Sequence, residues 1–219
     1  MAGQVRVDGT AITKAGTSVA SDADVTLIAP DHPYVSRGGL KLAHALDTFS
    51  IDVRGRAALD IGASTGGFTD VLLQRGARQV VALDVGHGQL DWRLRTDPRV
   101  VVLEHVNARF LKATDLPDAA DIVTIDVSFI SLRHILPVVP ATLAPRADVV
   151  ALVKPQFEAG RDDVGEGGLV LDPAVHERVV DEVRATARAV GLEPVAMTPS
   201  PITGATGNQE FLLHLRVAR

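Results

Sequence analysis

The sequence predicts an α/β fold with a mostly parallel sheet covered on both faces. Short apolar runs such as Val80-Val81-Ala82-Leu83 and Val149-Val150-Ala151-Leu152-Val153 are too continuous for a sheet with one wet face. They alternate with segments of helical apolar spacing, the pattern of repeated βα units. A length of 219 residues, 46% of them apolar, suits one such domain with a small appendage.

Residues 1–30 read as short strands. Gln4-Val5-Arg6-Val7 alternates polar and apolar side chains before an Asp8-Gly9 turn, and Val25-Thr26-Leu27-Ile28 is a second strand closed by Pro30. So short a segment buries no core alone and reads as part of a small domain. Residues 31–35 form a linker, and residues 36–219 form the main domain. There Leu40, Ala43, Leu46 and Phe49 recur at helical spacing. Ala57 to Ile61 is the first strand, and Phe68 to Leu73 is a helix stopped by Gly76. Strands follow at Val80 to Asp84, Val100 to Leu103, Ile122 to Asp126 and Val149 to Lys154. Asp172-Pro173 is an N-cap with proline at the first helical position, and the helix behind it runs through Val175, Val179, Val183, Ala187 and Val190 to Gly191. Pro194 to Met197 and Glu210 to Leu215 complete the sheet.

The net charge of -5, from 22 Lys plus Arg against 27 Asp plus Glu, excludes a protein that coats nucleic acid nonspecifically. An RNA partner would need a local basic surface. Aromatic residues at 4% argue against an extended base-stacking platform. The absence of cysteine rules out disulfides, thiolate metal sites and a catalytic thiol. No apolar run reaches the ~18 residues of a membrane span, and no basic start precedes a greasy leader. These features predict a cytoplasmic protein with no membrane partner and no metal.

Asp60-Ile61-Gly62-Ala63-Ser64-Thr65-Gly66-Gly67 joins the first strand to its helix. Glycines there let a ligand approach the backbone, and a helix N-terminus favours electron-rich groups. The spacing Gly-x-x-x-Gly-Gly differs from the Gly-x-Gly-x-x-Gly of dinucleotide enzymes. Asp84 ends the next strand, 24 residues after Asp60, where a carboxylate can accept both hydroxyls of a ribose. A nucleoside without a pyrophosphate fits this loop, and S-adenosylmethionine (SAM) is one. Asp60, Gly62, Ala63, Ser64, Thr65, Gly66, Gly67, Asp84 and the following Val85 are therefore candidate cofactor residues. Asn107, after the third strand, is a candidate for the adenine side, although a plain turn asparagine also fits.

In open α/β sheets chemistry sits beyond the carboxyl ends of the strands. Asp126 ends the fourth strand there and Lys154 the fifth, where a lysine is costly unless paired. Glu210 begins the last strand after the loop Gly204 to Asn208, and Lys41 lies in the helix before the first strand. Two amines and two carboxylates suit methylation of a sugar hydroxyl. A ribose 2′-OH is a feeble nucleophile, and it needs a base in contact and a fixed line of attack. Desolvation beside a second cation makes lysine a usable base. A base N-methyltransferase would instead carry an Asn/Asp-Pro-Pro-Tyr clamp where this chain has Asp126-Val127-Ser128-Phe129.

Lys41, Asp126, Lys154 and Glu210 resemble the Lys-Asp-Lys-Glu tetrad of FtsJ-like ribose 2′-O-methyltransferases. The runs Ser36 to Leu42, Gly62 to Thr69, Asp126 to Leu132 and Lys154 to Glu158 resemble the TlyA (haemolysin A) family of rRNA cytidine 2′-O-methyltransferases. That resemblance spans residues 4–217. It implies a Rossmann-like methyltransferase fold with a seven-stranded sheet, SAM as methyl donor, and ribosomal RNA in ribosomal subunits as substrate. The target would be a cytidine of 23S rRNA and, for some members, also of 16S rRNA, with capreomycin sensitivity as a consequence. It implies Lys154 as the base, Asp126 holding it and offsetting the sulfonium, Lys41 positioning the ribose, and Glu210 anchoring a lysine.

The same resemblance makes residues 1–30 a partial S4-like RNA-binding domain, matching only its C-terminal strands. The family's Arg-x-Trp-Val linker reads His32-Pro33-Tyr34-Val35 here. Arg6, Lys14, Arg37, Arg93, Arg95 and Arg133 are candidate RNA-binding residues, and the charged, glycine-rich stretch Glu158 to Gly168 is a candidate loop closing on RNA. Two other readings compete. An NAD-dependent oxidoreductase conflicts with the loop spacing. A noncatalytic RNA-binding or membrane-active haemolysin-like protein leaves the strand-end charges unexplained.

Overall fold

The computed structural model describes residues 5–12, 14, 16–27 and 32–218. Gln4, Ile28 and Pro30, ends of the two expected N-terminal strands, lie outside these. The chain divides into two compact units, Met1–Pro33 and Tyr34–Arg219.

In the first unit β1 (Val5–Val7), β2 (Thr10–Ile12) and β3 (Val25–Leu27) form an antiparallel sheet in the order β2-β1-β3. The hairpin pairs Val7 with Thr10 across Asp8-Gly9, both at positive φ as a tight two-residue turn requires. Asp8 ties the hairpin to the third strand, since its Oδ1 accepts from the Asp24 N–H at 3.0 Å. The sequence missed β2 because its three residues carry no contrast between faces.

The second unit contains seven strands: β4 (Ala57–Ile61), β5 (Gln79–Leu83), β6 (Val100–Leu103), β7 (Ala120–Ile125), β8 (Leu143–Val153), β9 (Leu192–Pro199) and β10 (Phe211–Val217). Their order is β6-β5-β4-β7-β8-β10-β9. Strands β4 to β8 pair in parallel, and β10 runs antiparallel to both β8 and β9. The helices are α1 (Gly38–Thr48), α2 (Gly67–Gln74), α3 (Trp92–Arg95), α4 (Pro155–Glu158) and α5 (Pro173–Ala189).

Period-two alternation sorts the strand residues into two cores. Leu59, Ile61, Val123, Ile125, Val149, Ala151, Val153 and Leu213 pack on one face against Val180, Val183 and Ala187 of α5. Ala58, Ile122, Val150, Leu152 and Leu212 pack on the other against α1 and α2. Each fully buried valine or leucine is worth roughly 1.5–3 kcal/mol, so β8, wet on neither face near its carboxyl end, anchors the sheet. Asp172 caps α5 by accepting from the Ala174 N–H at 2.8 Å, as its sequence predicts.

Two differences have physical reasons. Strand β8 begins at Leu143, six residues before the expected start, through a stretch containing Pro145 whose pairing to β7 is irregular. Between β7 and β8 stand 3₁₀ turns at Leu132–His134 and Leu136–Thr142, because Pro137 and Pro140 break an α-helix there. The chain runs β4 to β6 toward one edge, then crosses back to β7. The gap between the carboxyl ends of β4 and β7 is thus the topological switch point where such sheets bind ligands.

Candidate active site

A cleft of about 620 Å³ opens at that switch point. Its walls are chain segments that leave the carboxyl ends of β4, β5, β6 and β7, including Gly62, Ser64, Asp84, Val85, Asn107 and Asp126. Gly62 has φ +88, and a Cβ there would collide with the Asp126 carbonyl oxygen, so only glycine lets β4 leave the sheet this close to β7. Asp84 is fastened by the N–H groups of Ser64 (2.8 Å) and Gly86 (2.7 Å), one on each carboxylate oxygen. Each oxygen keeps a further lone pair on a cleft wall. Asn107 Oδ1 accepts from the Arg109 N–H at 3.1 Å, which makes it the cap of a short turn as well as part of the wall.

Other glycine-loop residues stand behind the cleft. Ala63, Thr65, Gly66 and Gly67 form the turn into α2 and do not line the cleft. Asp60 is fully buried and accepts hydroxyl hydrogen bonds from Thr69 (2.7 Å) and Thr124 (2.9 Å). Burial pushes its carboxyl up to about 6, with the Asp126 charge adding to the rise and the two threonines opposing it. Asp60 therefore braces the loop from below and does not face a ligand.

Sheet register explains how the strand-end charges meet. Phe211 pairs with Val153, so the preceding Glu210 and the following Lys154 stand opposite each other one step further out. Ile125 pairs with Ala151, so Asp126 shares the face of Leu152, and hence of Lys154. That face is the one covered by α1, which carries Lys41. Two ion pairs result: Lys41 Nζ with Glu210 Oε2, and Lys154 Nζ with Asp126 Oδ1 at 2.6 Å. Lys41, Lys154 and Glu210 are buried. Lys154 also donates to Ser128 Oγ at 3.0 Å, while buried Asp126 Oδ1 receives no well-aligned hydrogen bond. Gly204 lies against the Glu210 carboxylate, where a Cβ would press on Oε1.

Sequence reasoning passed over several neighbours. Phe129, within a run already noted, is 90% exposed at φ +63 on the cleft wall, and its ring lies 5.2 Å from that of Phe157. Glu158 is buried and accepts from Ser131 Oγ (2.5 Å) and the Leu132 N–H (2.8 Å). Burial raises its carboxyl above the ordinary value, which those hydrogen bonds partly offset. Both residues lie in runs that the sequence analysis named, but nothing in the sequence marked Phe129 as exposed or Glu158 as buried.

The RNA candidates divide. Arg6 lies in β1 and Lys14 is exposed, both in the first unit. Arg37 is exposed at the start of α1. Arg93 and Arg95 are taken up by Asp91 and Glu104. Arg133 instead donates to Ser131 Oγ (3.0 Å) and the Glu158 carbonyl (3.3 Å), with no ion pair among the described residues. Arg109, also without one, lines the cleft beside the exposed Phe110. The stretch after Glu158 is wound into 3₁₀ turns at Arg161–Asp163 and Glu166–Gly168.

Residues 34–217 match the FtsJ-like methyltransferase family. The chain belongs to that family. The TlyA 16S/23S rRNA (cytidine-2′-O)-methyltransferase of Mycobacterium tuberculosis is 49% identical over 216 residues, which covers 98% of this FtsJ-like chain and 81% of the relative. A solved Streptococcus thermophilus structure bearing the hemolysin name is 45% identical with a TM-score of 0.87, covering 100% of this chain and 80% of that one. A SAM-dependent methyltransferase from Mesorhizobium loti, 15% identical with a TM-score of 0.60 over 79% of this chain and 96% of its own, shares the fold. The Rossmann-like methyltransferase fold and the seven-stranded sheet expected from the sequence are present. SAM is the cofactor of this FtsJ-like chain, and the glycine-floored cleft with an acid at the end of β5 fits a nucleoside.

Proposed function

We propose that this FtsJ-like chain methylates the ribose 2′-oxygen of a cytidine in ribosomal RNA, with 23S rRNA as its first target and 16S rRNA as the second to be tested. The observation that carries the reading is the pairing of Lys154 with Asp126 at 2.6 Å on the cleft side of β7 and β8. When bound, SAM supplies an electrophilic methyl on a sulfonium. Gly62, Ser64 and Asp84 hold the nucleoside, and Asn107 flanks its base. The Lys154 Nζ lone pair would take the 2′ proton, so that the 2′-oxygen could receive the methyl that bound SAM would supply. Asp126 and Ser128 fix the direction of Nζ. Asp126, on the cleft wall, would also offset the positive charge that a bound sulfonium brings. Glu210 holds Lys41, whose ammonium orients the ribose.

The substrate side has its own support. Phe129 holds a strained backbone and offers nearly its whole ring to solvent at the cleft mouth. An exposed ring beside a cleft can stack an unpaired base of an RNA strand. Arg37, Arg109 and Arg133 supply cations for phosphates, and the strands of residues 1–30, with Arg6 and Lys14, act as a partial S4-like contact. The test is radiolabelled methyl transfer to purified 30S and 50S subunits with mapping of the modified ribose. Label on a 2′-oxygen that disappears in Lys154→Ala, with SAM binding retained by calorimetry, is the expected result. Equal labelling by parent and variant removes Lys154 as the base; no label in either subunit removes the substrate.

A further inference from the structure

Two loops at the carboxyl edge are fastened to each other twice. The inner fastening is Lys154 on Asp126 and Ser128. The outer one is Glu158, the last residue of α4, whose two carboxylate oxygens take the Ser131 hydroxyl and the Leu132 N–H. Arg133 spans the same junction through Ser131 Oγ and the Glu158 carbonyl. Between the two fastenings sit Phe129 and Phe157, in ring contact, with Lys154 Nζ 6.0 Å from the centre of the Phe157 ring. A carboxylate is an expensive group to bury, and the fold already had Lys154 to join these loops. Phe129 at φ +63 is a conformation that a free loop of L-residues leaves readily, so something must hold it.

We propose that Glu158 is a positioning residue, which clasps the 128–132 loop to the segment carrying Lys154 and thereby sets the spacing between the Phe129 ring and the Lys154 amine. The assignment rests on the methyl-transfer reading above. A base stacked on Phe129 and a 2′-hydroxyl at Lys154 belong to one nucleotide, so the distance between ring and amine is a catalytic variable. A misplacement of about 1 Å at such a site costs on the order of a hundredfold in rate. Glu158 touches neither substrate nor cofactor in this scheme; it acts through Phe129 and Lys154.

The test uses the full chain as Glu158→Ala, Glu158→Gln and Ser131→Ala. Hydrogen exchange of the Leu132 amide reads the clasp without any substrate. Methyl transfer to purified ribosomal subunits reads the spacing through kcat, with the SAM dissociation constant as control. In Glu158→Ala the Leu132 amide exchanges faster, kcat falls roughly ten- to a hundredfold, and SAM affinity holds within about twofold. Glu158→Gln accepts from Leu132 and donates to Ser131, so it keeps kcat within about threefold. Ser131→Ala removes one of the two bonds and gives an intermediate loss, which preserves the test if Glu158→Ala does not fold. Unchanged exchange in Glu158→Ala overturns the clasp. Faster exchange with parental kcat overturns the positioning role. A parent that labels neither subunit overturns the activity, and the positioning role with it, while the exchange arm still decides the clasp.

Discussion

The antiparallel pair β8 and β10 carries a cluster of charges at each end. At the amino end of the buried part of β8, Asp148 receives Arg56 Nη1, His214 Nε2 and Arg216 Nε, each at 2.8 Å. At the carboxyl end lie Lys154 with Asp126, and Glu210 with Lys41. Burial pushes the Asp148 carboxyl up, yet hydrogen bonds from His214, Arg216 and Arg56 outweigh it and hold the group well below the ordinary range. The carboxyl-end cluster is not closed in this way: buried Asp126 Oδ1 lacks a well-aligned donor, although Lys154 is 2.6 Å away. One cluster is satisfied and points nowhere. The other is left with bonding capacity beside a cleft. Similar residue types at the two ends of this strand pair thus form a closed cluster at one end and, in the proposed reading, a reactive one at the other.

The largest effects should separate the ends. Lys154→Ala should lower methyl transfer per folded molecule by roughly a hundred- to ten-thousandfold, the usual range for a lost general base, beyond whatever stability is lost when Asp126 is left without its cation. Asp148→Ala should act on stability instead. It leaves Arg56 and His214 without their partner, costs about 3–5 kcal/mol of unfolding free energy in denaturant titration, and keeps kcat per folded molecule. A fall in kcat at full folding for Asp148→Ala would end the division between the two clusters.

Asp60 sharpens the comparison, because it is another buried acid, with a shift of opposite sign to that of Asp148. Its carboxyl is raised from 3.8 to about 6. The stability linked to its protonated form is present below about pH 4, the unfolded value, and is lost as pH rises through about 6. Asp60→Asn should therefore flatten the pH dependence of stability between those values. At pH 7 it should gain at most about 3 kcal/mol over the parent. Asp148 behaves oppositely: its contribution is present above the unfolded carboxylate value and lost as pH falls further.

The smallest effect concerns the cleft lip. Phe129→Gly should gain about 1 kcal/mol of stability by relieving the positive φ, read from melting. The same variant should raise KM for the ribosomal subunit by about tenfold, equivalent to one lost base–aromatic stack. Loss of stability in this variant would mean that the Phe129–Phe157 ring contact and the added chain entropy of glycine outweigh the relieved strain.

Much of this was legible in one dimension. Strand β4 and its glycine loop, β5 with Asp84, and α5 with its Asp172 cap are written in local periodicity and turn chemistry. The edge strand β9 was expected only over residues 194–197. It runs from Leu192 to Pro199, because an edge strand alternates between buried and exposed residues and reads as a weak apolar run. Helix α3 escaped notice because one turn carries no period, although it seats Leu94 against the glycine loop. Asp60 was expected to face the cofactor, and the structure turns it inward onto Thr69 and Thr124.

By itself the sequence determined the class of fold, the order of elements along the chain, and the placing of charged residues at strand ends, since these follow from neighbours within a few positions. It also marked the four tetrad residues by type and by resemblance. Only the tertiary structure decided which charges pair. Lys41 and Glu210 are 169 positions apart, and their meeting depends on β10 docking against β8 in one register with α1 over that face. The exposure of Phe129 and the burial of Glu158 were decided in the same way. Register, strand order and helix docking are set by how the whole core packs, and no local stretch of chain encodes them.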